Sequence, residues 1–405
     1  MRSTMALGAA LLGLAAVAFP GAGAAPAEAP YQAGLFRWRA AEGGFASWEG
    51  AGVARTAAGR LALDPASAQA GSDAAGTYQG RNFYNGGAYT VGEATGPLTA
   101  TSFGFSRAVA SWDADTPPGT WIEVLARAQR GGRLTKFYNL GVWAADGSTI
   151  GRHSVKDQRD GDGTVAVDTL VLSETQAAAD AVQLKVRLFS ARDGAVPSLR
   201  LAAVAVSTQV HRPAQTSAGD PAHWNKVLDV PACSQGAYAD GGERWCSPTS
   251  TSMVLGFWSR DQGPCEPRVR AAVAGVYDWV FDGYGNWPFN AAYAAGAGPD
   301  LDAYVARFTG LAQAEPWIAA GVPVVISYAW TEGALTGAPV RSSKGHLGVL
   351  VGFDAQGNPV MNDPAAGDGA VRRTYPRSEL EGLWLEHSGG TAYLIYPSSL
   401  AVTWG

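Results

Sequence analysis

The stretch GHLGVLVGFDAQGNPVMNDP, Gly345 to Pro364, reads as a strand, a turn and a returning strand. His346 to Phe353 is dense in branched apolar residues, as a buried strand requires, and Asp354 to Asn358 carries turn chemistry. Asn358 to Asp363 returns and Pro364 stops it, because proline has no N–H to give a sheet ladder. Antiparallel pairing then puts Asp363 within a few residues of lying opposite His346. Val322 to Trp330 supplies a second buried-type strand.

Toward the N-terminus the pattern changes to helix. In CSPTSTSMVLGFW a helix is expected from Cys246 or Ser247 to about Trp258. Pro248 suits the first turn, where its missing N–H has no helical partner. Met253 with Phe257, and Val254 with Trp258, give i, i+4 apolar contacts that bury the helix. Further helices are expected near residues 301–311 and over residues 316–320, the latter ended by Gly321. A helix-bearing part followed by a sheet-bearing part makes residues 223–405 an α+β domain.

Residues 31–206 are different: short apolar–polar alternations separated by Gly, Pro and Asp turns. In VQLKVRLF (Val182–Phe189), Val182, Leu184, Val186 and Leu188 point one way and Gln183, Lys185 and Arg187 the other. Several such strands predict an antiparallel β-sandwich. The polar, proline-containing residues 207–222 read as a linker. The leader, residues 1–24, has Arg2 as a positive start, an apolar stretch from Met5 to Phe19 and a small-residue cut site at Ala22-Gly23-Ala24. It reads as a signal peptide, so the mature chain is expected to be secreted, with no later membrane span.

The 405 residues are 47% hydrophobic and 16% charged, an ordinary globular balance with ample core material. A net charge of −5 without a basic run argues against nucleic acid as a partner. There are three cysteines, Cys233, Cys246 and Cys265, which allow one bridge and one thiol left over in an oxidising compartment. No CxxC pair exists, so a structural zinc site is not expected.

Cys246 stands where a helix start favours the thiolate. His346, one of five histidines, is placed to act as its base, and Asp363 to orient the imidazole. Gln235 upstream offers a side-chain N–H to an oxyanion, beside the backbone N–H of Cys246. The bland alternatives are a disulfide for Cys246, a satisfied strand-end histidine, a turn-initiating aspartate and an ordinary loop glutamine.

The segments LDVPACSQ, ERWCSPTSTSMVLGFW and GHLGVLVGFDAQGNPVMNDPA together resemble the C39-like group of papain-fold cysteine peptidases, from about Asn225 to the C-terminus. The resemblance implies a papain-like fold with Cys246 as nucleophile, His346 as base, Asp363 as orienting acid and Gln235 as oxyanion glutamine. The sandwich resembles the module that accompanies this domain in exported bacterial proteins. Two departures stand out: a loop, residues 236–243, separates the glutamine from the cysteine, and Ser247 follows Cys246 where transporter-linked members commonly have glycine. Those members trim leader peptides while fused to a membrane exporter. This chain has no exporter segment, so that substrate is not carried over. With Cys246 read as a free nucleophile, Cys233 and Cys265 are the expected bridge.

Trp245, Asn286 and Trp287 are expected at the substrate cleft, the last two within a glycine-flanked loop, DGYGNWPFNAAYA. Aspartates 157, 160, 162 and 168 crowd a glycine-rich loop that can be read either as a calcium site or as a solvated acidic turn. Trp38, Trp48, Trp112, Trp121 and Trp143 fit either sugar stacking, as in a cell-wall or glycan contact, or the sandwich core. The leading expectation is a secreted thiol hydrolase that cleaves amide bonds in a peptide or protein substrate, with no metal or organic cofactor. A non-catalytic cell-surface binder and an acyl transferase are the alternatives.

Overall fold

The alternation in residues 179–190 does what its pattern demands. Val182, Leu184, Val186 and Leu188 are fully buried while the three polar residues between them keep solvent contact. The computed structural model describes residues 30–209, 216–298 and 300–401. The expected signal peptide, residues 1–24, lies outside the described residues, as do residues 210–215 of the expected linker. Two antiparallel sheets face each other in the N-terminal half. One centres on Arg107–Asp115 and Ser198–Ser207, the other on Thr120–Arg130 and Ala179–Ser190.

The strand Ser198–Ser207 is buried on both faces. Ala202, Val204 and Val206 belong to the sandwich core, while Leu201 and Ala203 join the core of the C-terminal half. A strand covered on both sides needs no polar alternation, which explains its run of Ala and Val. Tyr31–Gly405 accordingly forms one compact unit.

The C-terminal half is an antiparallel sheet with helices, so the chain as a whole is α+β. In order across the sheet, its strands are Leu301–Arg307, Thr391–Pro397, Val324–Trp330, Ser343–Phe353, Pro359–Asn362 and Arg372–Thr374, with Lys226–Val227 added beside Ser343–Phe353. The helices among the described residues are α1 (Cys246–Ser259), α2 (Cys265–Val276), α3 (Trp287–Gly296), α4 (Leu311–Ala319) and α5 (Arg377–Ser388). None of them is long and apolar enough to cross a membrane.

Three expectations need correction. The helix expected at residues 301–311 is instead the strand Leu301–Arg307, paired along its length with Thr391–Pro397. Leu301, Tyr304, Val305 and Phe308 mimic a helical stripe, but the strand is buried on both faces and so shows no alternation. The expected 316–320 helix begins earlier, at Leu311, and Pro316 lies inside it. The expected loop around Trp287 is the start of α3, capped by Asn286 Oδ1 on the Phe289 N–H at 3.1 Å with proline in its first turn.

The helix α3 also joins the halves. Its Phe289 sits in the sandwich core against Trp112 and Trp143, at ring separations of 6.2 and 5.4 Å. Polar contacts reinforce the seam. Ser111 Oγ accepts from the Val305 N–H at 3.0 Å, and Arg39 pairs with Asp302 at 2.6 Å.

Candidate active site

Cys246 is the first residue of α1; it is half-buried as a residue and its sulfur is unbridged. The first N–H groups of a helix lack helical acceptors, so a thiolate here meets the positive end of the helix. The hydroxyl residues that follow anchor α1 below the thiol. Ser247 Oγ lies 2.9 Å from the Tyr393 hydroxyl, Ser250 Oγ donates to the Leu347 carbonyl at 3.1 Å, and Thr251 Oγ1 donates to Asn290 Oδ1 at 3.2 Å.

The Ser343–Phe353 strand returns through Asp354–Asn358, with Asn362 opposite Val349. That register brings Asp363 Oδ1 to 2.8 Å from His346 Nε2. Asp363 is fully buried and also accepts three other hydrogen bonds: from the Ala365 N–H at 2.9 Å on Oδ1, and from the Tyr328 and Tyr375 hydroxyls at 2.9 and 2.6 Å on Oδ2. The imidazole stands edge-on to Tyr328 and Trp330, 5.3 and 5.4 Å between centroids. Nε2 is held by Asp363, which leaves Nδ1 as the ring nitrogen for the Cys246 thiol, whose charge and hydrogen bonding favour the imidazolium.

The electrostatics follow from this arrangement. Burial opposes charge on His346, but Asp363 and then Cys246 outweigh it and raise the imidazole to about 10. Burial likewise opposes charge on Asp363, yet His346, the Tyr375 hydroxyl and the Ala365 N–H hold it well below the usual carboxylate range. Burial pushes the Cys246 thiol up; hydrogen bonding and charge from His346, with the Leu347 and Ser247 backbone, more than reverse this and lower it. Both shifts favour a thiolate beside an imidazolium over the neutral pair.

Gln235 is buried, and its Nε2 donates to the Gly242 carbonyl at 2.8 Å, which leaves one amide N–H for other use. Its backbone N–H donates to Pro364 at 2.8 Å, so it is fixed beside the Asp363 loop. Residues 236–243 fold back on themselves to make this contact, and they need glycine at Gly242: a Cβ there would stand 2.0 Å from the Gln235 carbonyl oxygen.

Of the three residues expected to touch substrate, Trp287 lines the cleft next to Cys246, whereas Trp245 and Asn286 do not. Trp245 is buried at the helix start, its ring against Tyr238 and Tyr284. Asn286 is fully buried because it caps α3 and donates to Asp278 at 3.1 Å. Cys233 and Cys265 form a disulfide with Cα atoms 5.7 Å apart, tying the segment before α1 to the start of α2.

In the acidic loop, Asp160 accepts from the Tyr138 hydroxyl and pairs with Lys136, Asp162 pairs with Arg133, and Asp168 turns to the Trp287 N–H. Among the described residues no group of three or more His, Cys, Asp or Glu is placed to hold a metal ion. The five tryptophans of the sandwich are buried, so none offers a stacking face for sugar.

Tyr328, Trp330 and Tyr375 escaped the sequence reading. Tyr328 lies directly opposite His346 across the neighbouring strand. Aligning SYAW antiparallel to GHLGV would have found it. Tyr375 arrives from beyond a loop and carries no such signal.

A cleft of about 860 Å³ opens on Cys246. Its walls come from both halves of the chain: Arg107 and residues 166–169 from the sandwich, Trp287, Arg307 and Leu347 from the sheet and helices beyond.

Residues 35–207 match the family model of the peptidase C39 N-terminal domain, and residues 227–392 match that of the peptidase C39 like family. Fold and matches together define a protein with a cysteine-peptidase-like second half. The chain belongs to the C39-like peptidase family. No curated protein and no solved structure matches it.

Proposed function

We propose that this protein is an exported cysteine peptidase in which Cys246 is the nucleophile, His346 the general base and acid, and Asp363 the group that orients and charges the imidazole. The observation that carries this reading is the continuous line from the thiol through the imidazole to a carboxylate holding four hydrogen-bond donors. The thiolate attacks the carbonyl of an amide, and the oxyanion takes the Cys246 N–H at the helix start. The remaining Gln235 amide N–H is the candidate second donor. His346 then protonates the leaving amine, and water releases the acyl group. Export is supported by the leader pattern and by the Cys233–Cys265 disulfide.

The test is iodoacetamide labelling of the mature protein from pH 5 to 9, with the Cys246 peptide quantified by mass spectrometry, beside cleavage of a random peptide pool. Fast labelling below the ordinary thiol range, slowed by His346→Ala, together with new peptide termini abolished by Cys246→Ala, is the expected result. Ordinary thiol behaviour at Cys246, or no cleavage by a protein whose thiol does label fast, refutes the peptidase reading.

A further inference from the structure

The cleft next to Cys246 contains two arginines from opposite halves of the chain. Arg107 begins the sandwich strand Arg107–Asp115 with Ser207 as its register partner, and Arg307 ends the strand Leu301–Arg307 and donates to that same Ser207 through Nη1 at 2.7 Å. The shared serine thus brings two guanidinium-bearing positions to one place. Among the described residues neither makes an ion pair with a carboxylate. Arg307 is nearly inaccessible, 2% exposed, and its Nε has no hydrogen-bond partner. A buried cation without a direct ion pair is costly, and a paired anion offsets that cost.

The Tyr31 hydroxyl and Asp168 are the groups that favour charge on Arg307, but among the described residues no acid around the cleft makes a direct ion pair with it. Asp168 faces Arg307, but its carboxylate is held by the Trp287 N–H at 2.7 Å and the Thr169 hydroxyl at 3.0 Å, and burial raises it to about 6. Asp282 is tied to Arg244 and to the Tyr277 hydroxyl, and Glu243 and Glu386 are exposed. The wall that carries Asp168 is itself built under strain. The Asp168 N–H donates back to Ala166 at 2.8 Å, closing a γ-turn with Val167 at φ 60°, a conformation that a β-branched residue adopts only when its surroundings hold it. The Asp168–Trp287 bond is such a hold, and it fixes the sandwich hairpin against the C-terminal half.

We propose that Arg107 and Arg307 form a carboxylate-binding subsite beside Cys246, so that the substrate is a peptide presenting an acidic side chain or a free C-terminal carboxylate there. This rests on the peptidase reading of the same cleft. The sandwich then takes part in substrate selection: it supplies one of the two cations and a wall of the site. Guanidinium and carboxylate match in shape and charge, and the fixed backbone on both sides keeps the pair of arginines in place.

Binding tests this apart from turnover. The full mature chain carrying Cys246→Ala is incubated with acetyl-capped octapeptides, and retained peptides are read by ultrafiltration and mass spectrometry. One arm compares Glu with Gln at each position; the other compares free-acid with amide C-termini. The expected result is at least about tenfold stronger retention of the carboxylate member in one arm, the scale of one charge-assisted pair. Which arm responds identifies the source of the carboxylate. Arg107→Gln, at a half-buried position, brings that ratio toward one, and Arg107→Lys restores part of it; thermal melting confirms that both variants are folded. Equal retention within both pairs, no retention at all, or a ratio indifferent to Arg107→Gln overturns the proposal. Iodoacetamide labelling of the wild-type Cys246 separates the two readings. A fast thiol with equal retention removes only the subsite, and an ordinary thiol with a carboxylate preference removes only the peptidase.

Discussion

Replacing Asp363 by Asn keeps the shape of the side chain and removes its charge. Four donors converge on the two carboxylate oxygens: His346 Nε2 and the Ala365 N–H on Oδ1, the Tyr328 and Tyr375 hydroxyls on Oδ2. An amide has one acceptor oxygen, so in either orientation its NH2 faces two of these groups. The Ala365 N–H cannot reverse, which selects the orientation with oxygen toward His346 and NH2 toward the tyrosines. Their hydroxyl protons are then left buried without acceptors, at about 1–3 kcal/mol each. The imidazolium also loses its counter-charge, and a broken buried pair costs about 3–5 kcal/mol when one partner is removed outright. Because Asn retains one good hydrogen bond to His346, the expected loss of stability is about 3 kcal/mol in urea denaturation. With Asp363 neutralised, burial dominates His346 and its pKa falls, and Cys246 loses the cation that lowers it. Iodoacetamide labelling of Cys246 at pH 6 should therefore slow by about one to two orders of magnitude, since a thiol ionises tenfold less for each unit its pKa rises. Unchanged labelling at pH 6 in a folded Asp363→Asn protein would refute the coupling.

Tyr328→Phe and Tyr375→Phe each remove one donor from Asp363 Oδ2 and should cost about 1–2 kcal/mol, but the double variant strands that oxygen and should exceed the sum by about 1 kcal/mol in a urea double-mutant cycle; simple additivity speaks against a shared acceptor. His346 is raised to about 10, so its contribution to stability is complete below its ordinary 6.5, declines steadily above that and is gone once pH has passed about 10; the stability difference between wild type and His346→Gln, followed from pH 5 to 10.5, should be flat up to about pH 6.5 and then shrink progressively to about pH 10, and a loss complete by pH 8 contradicts it. Replacing both Cys233 and Cys265 by Ala opens a loop closed across 32 positions and should cost about 3–4 kcal/mol without changing the pH profile of Cys246 labelling, which titration with iodoacetamide checks. Phe289→Ala removes a ring packed between Trp112 and Trp143 and should lower stability by about 3–5 kcal/mol in a single melting transition; two separate transitions would show that the halves do not share a core.

The parts of this molecule that were legible in its sequence are those where one local rule decides. The strand Ala179–Ser190 has one wet face and so shows its period, and the Gly345–Pro364 hairpin has turn residues where a turn must be. The line-up of Cys246, His346 and Asp363 could be expected because a helix start and a hairpin are both local. Leu301–Arg307 was misread because both its faces are covered, one of them by a sandwich about 100 or more positions earlier in the chain, and no window of residues carries that fact. Asn286 was misread for the opposite reason: its polarity serves a helix cap, which NWP announces, and not the cleft. Tyr375 and the arginine pair depend on register between distant segments, which composition and spacing do not encode.

The same register explains why the two halves act on one site. Had the sandwich been a tethered accessory, its contact face would be polar, as separable interfaces are. Instead Val109, Leu201 and Ala203 are buried in the core of the C-terminal half, and Phe289 and Ala292 return the exchange. A rigid seam of this kind fixes the Gly163–Leu172 hairpin relative to α1, and so fixes one wall of the cleft relative to the sulfur at its floor. Tolerance in such a seam is small, since close-packed cores do not deform by an ångström without losing contacts. The shape of the space above Cys246 is therefore set as much by how Trp112 seats Phe289 as by any residue within the peptidase-like half.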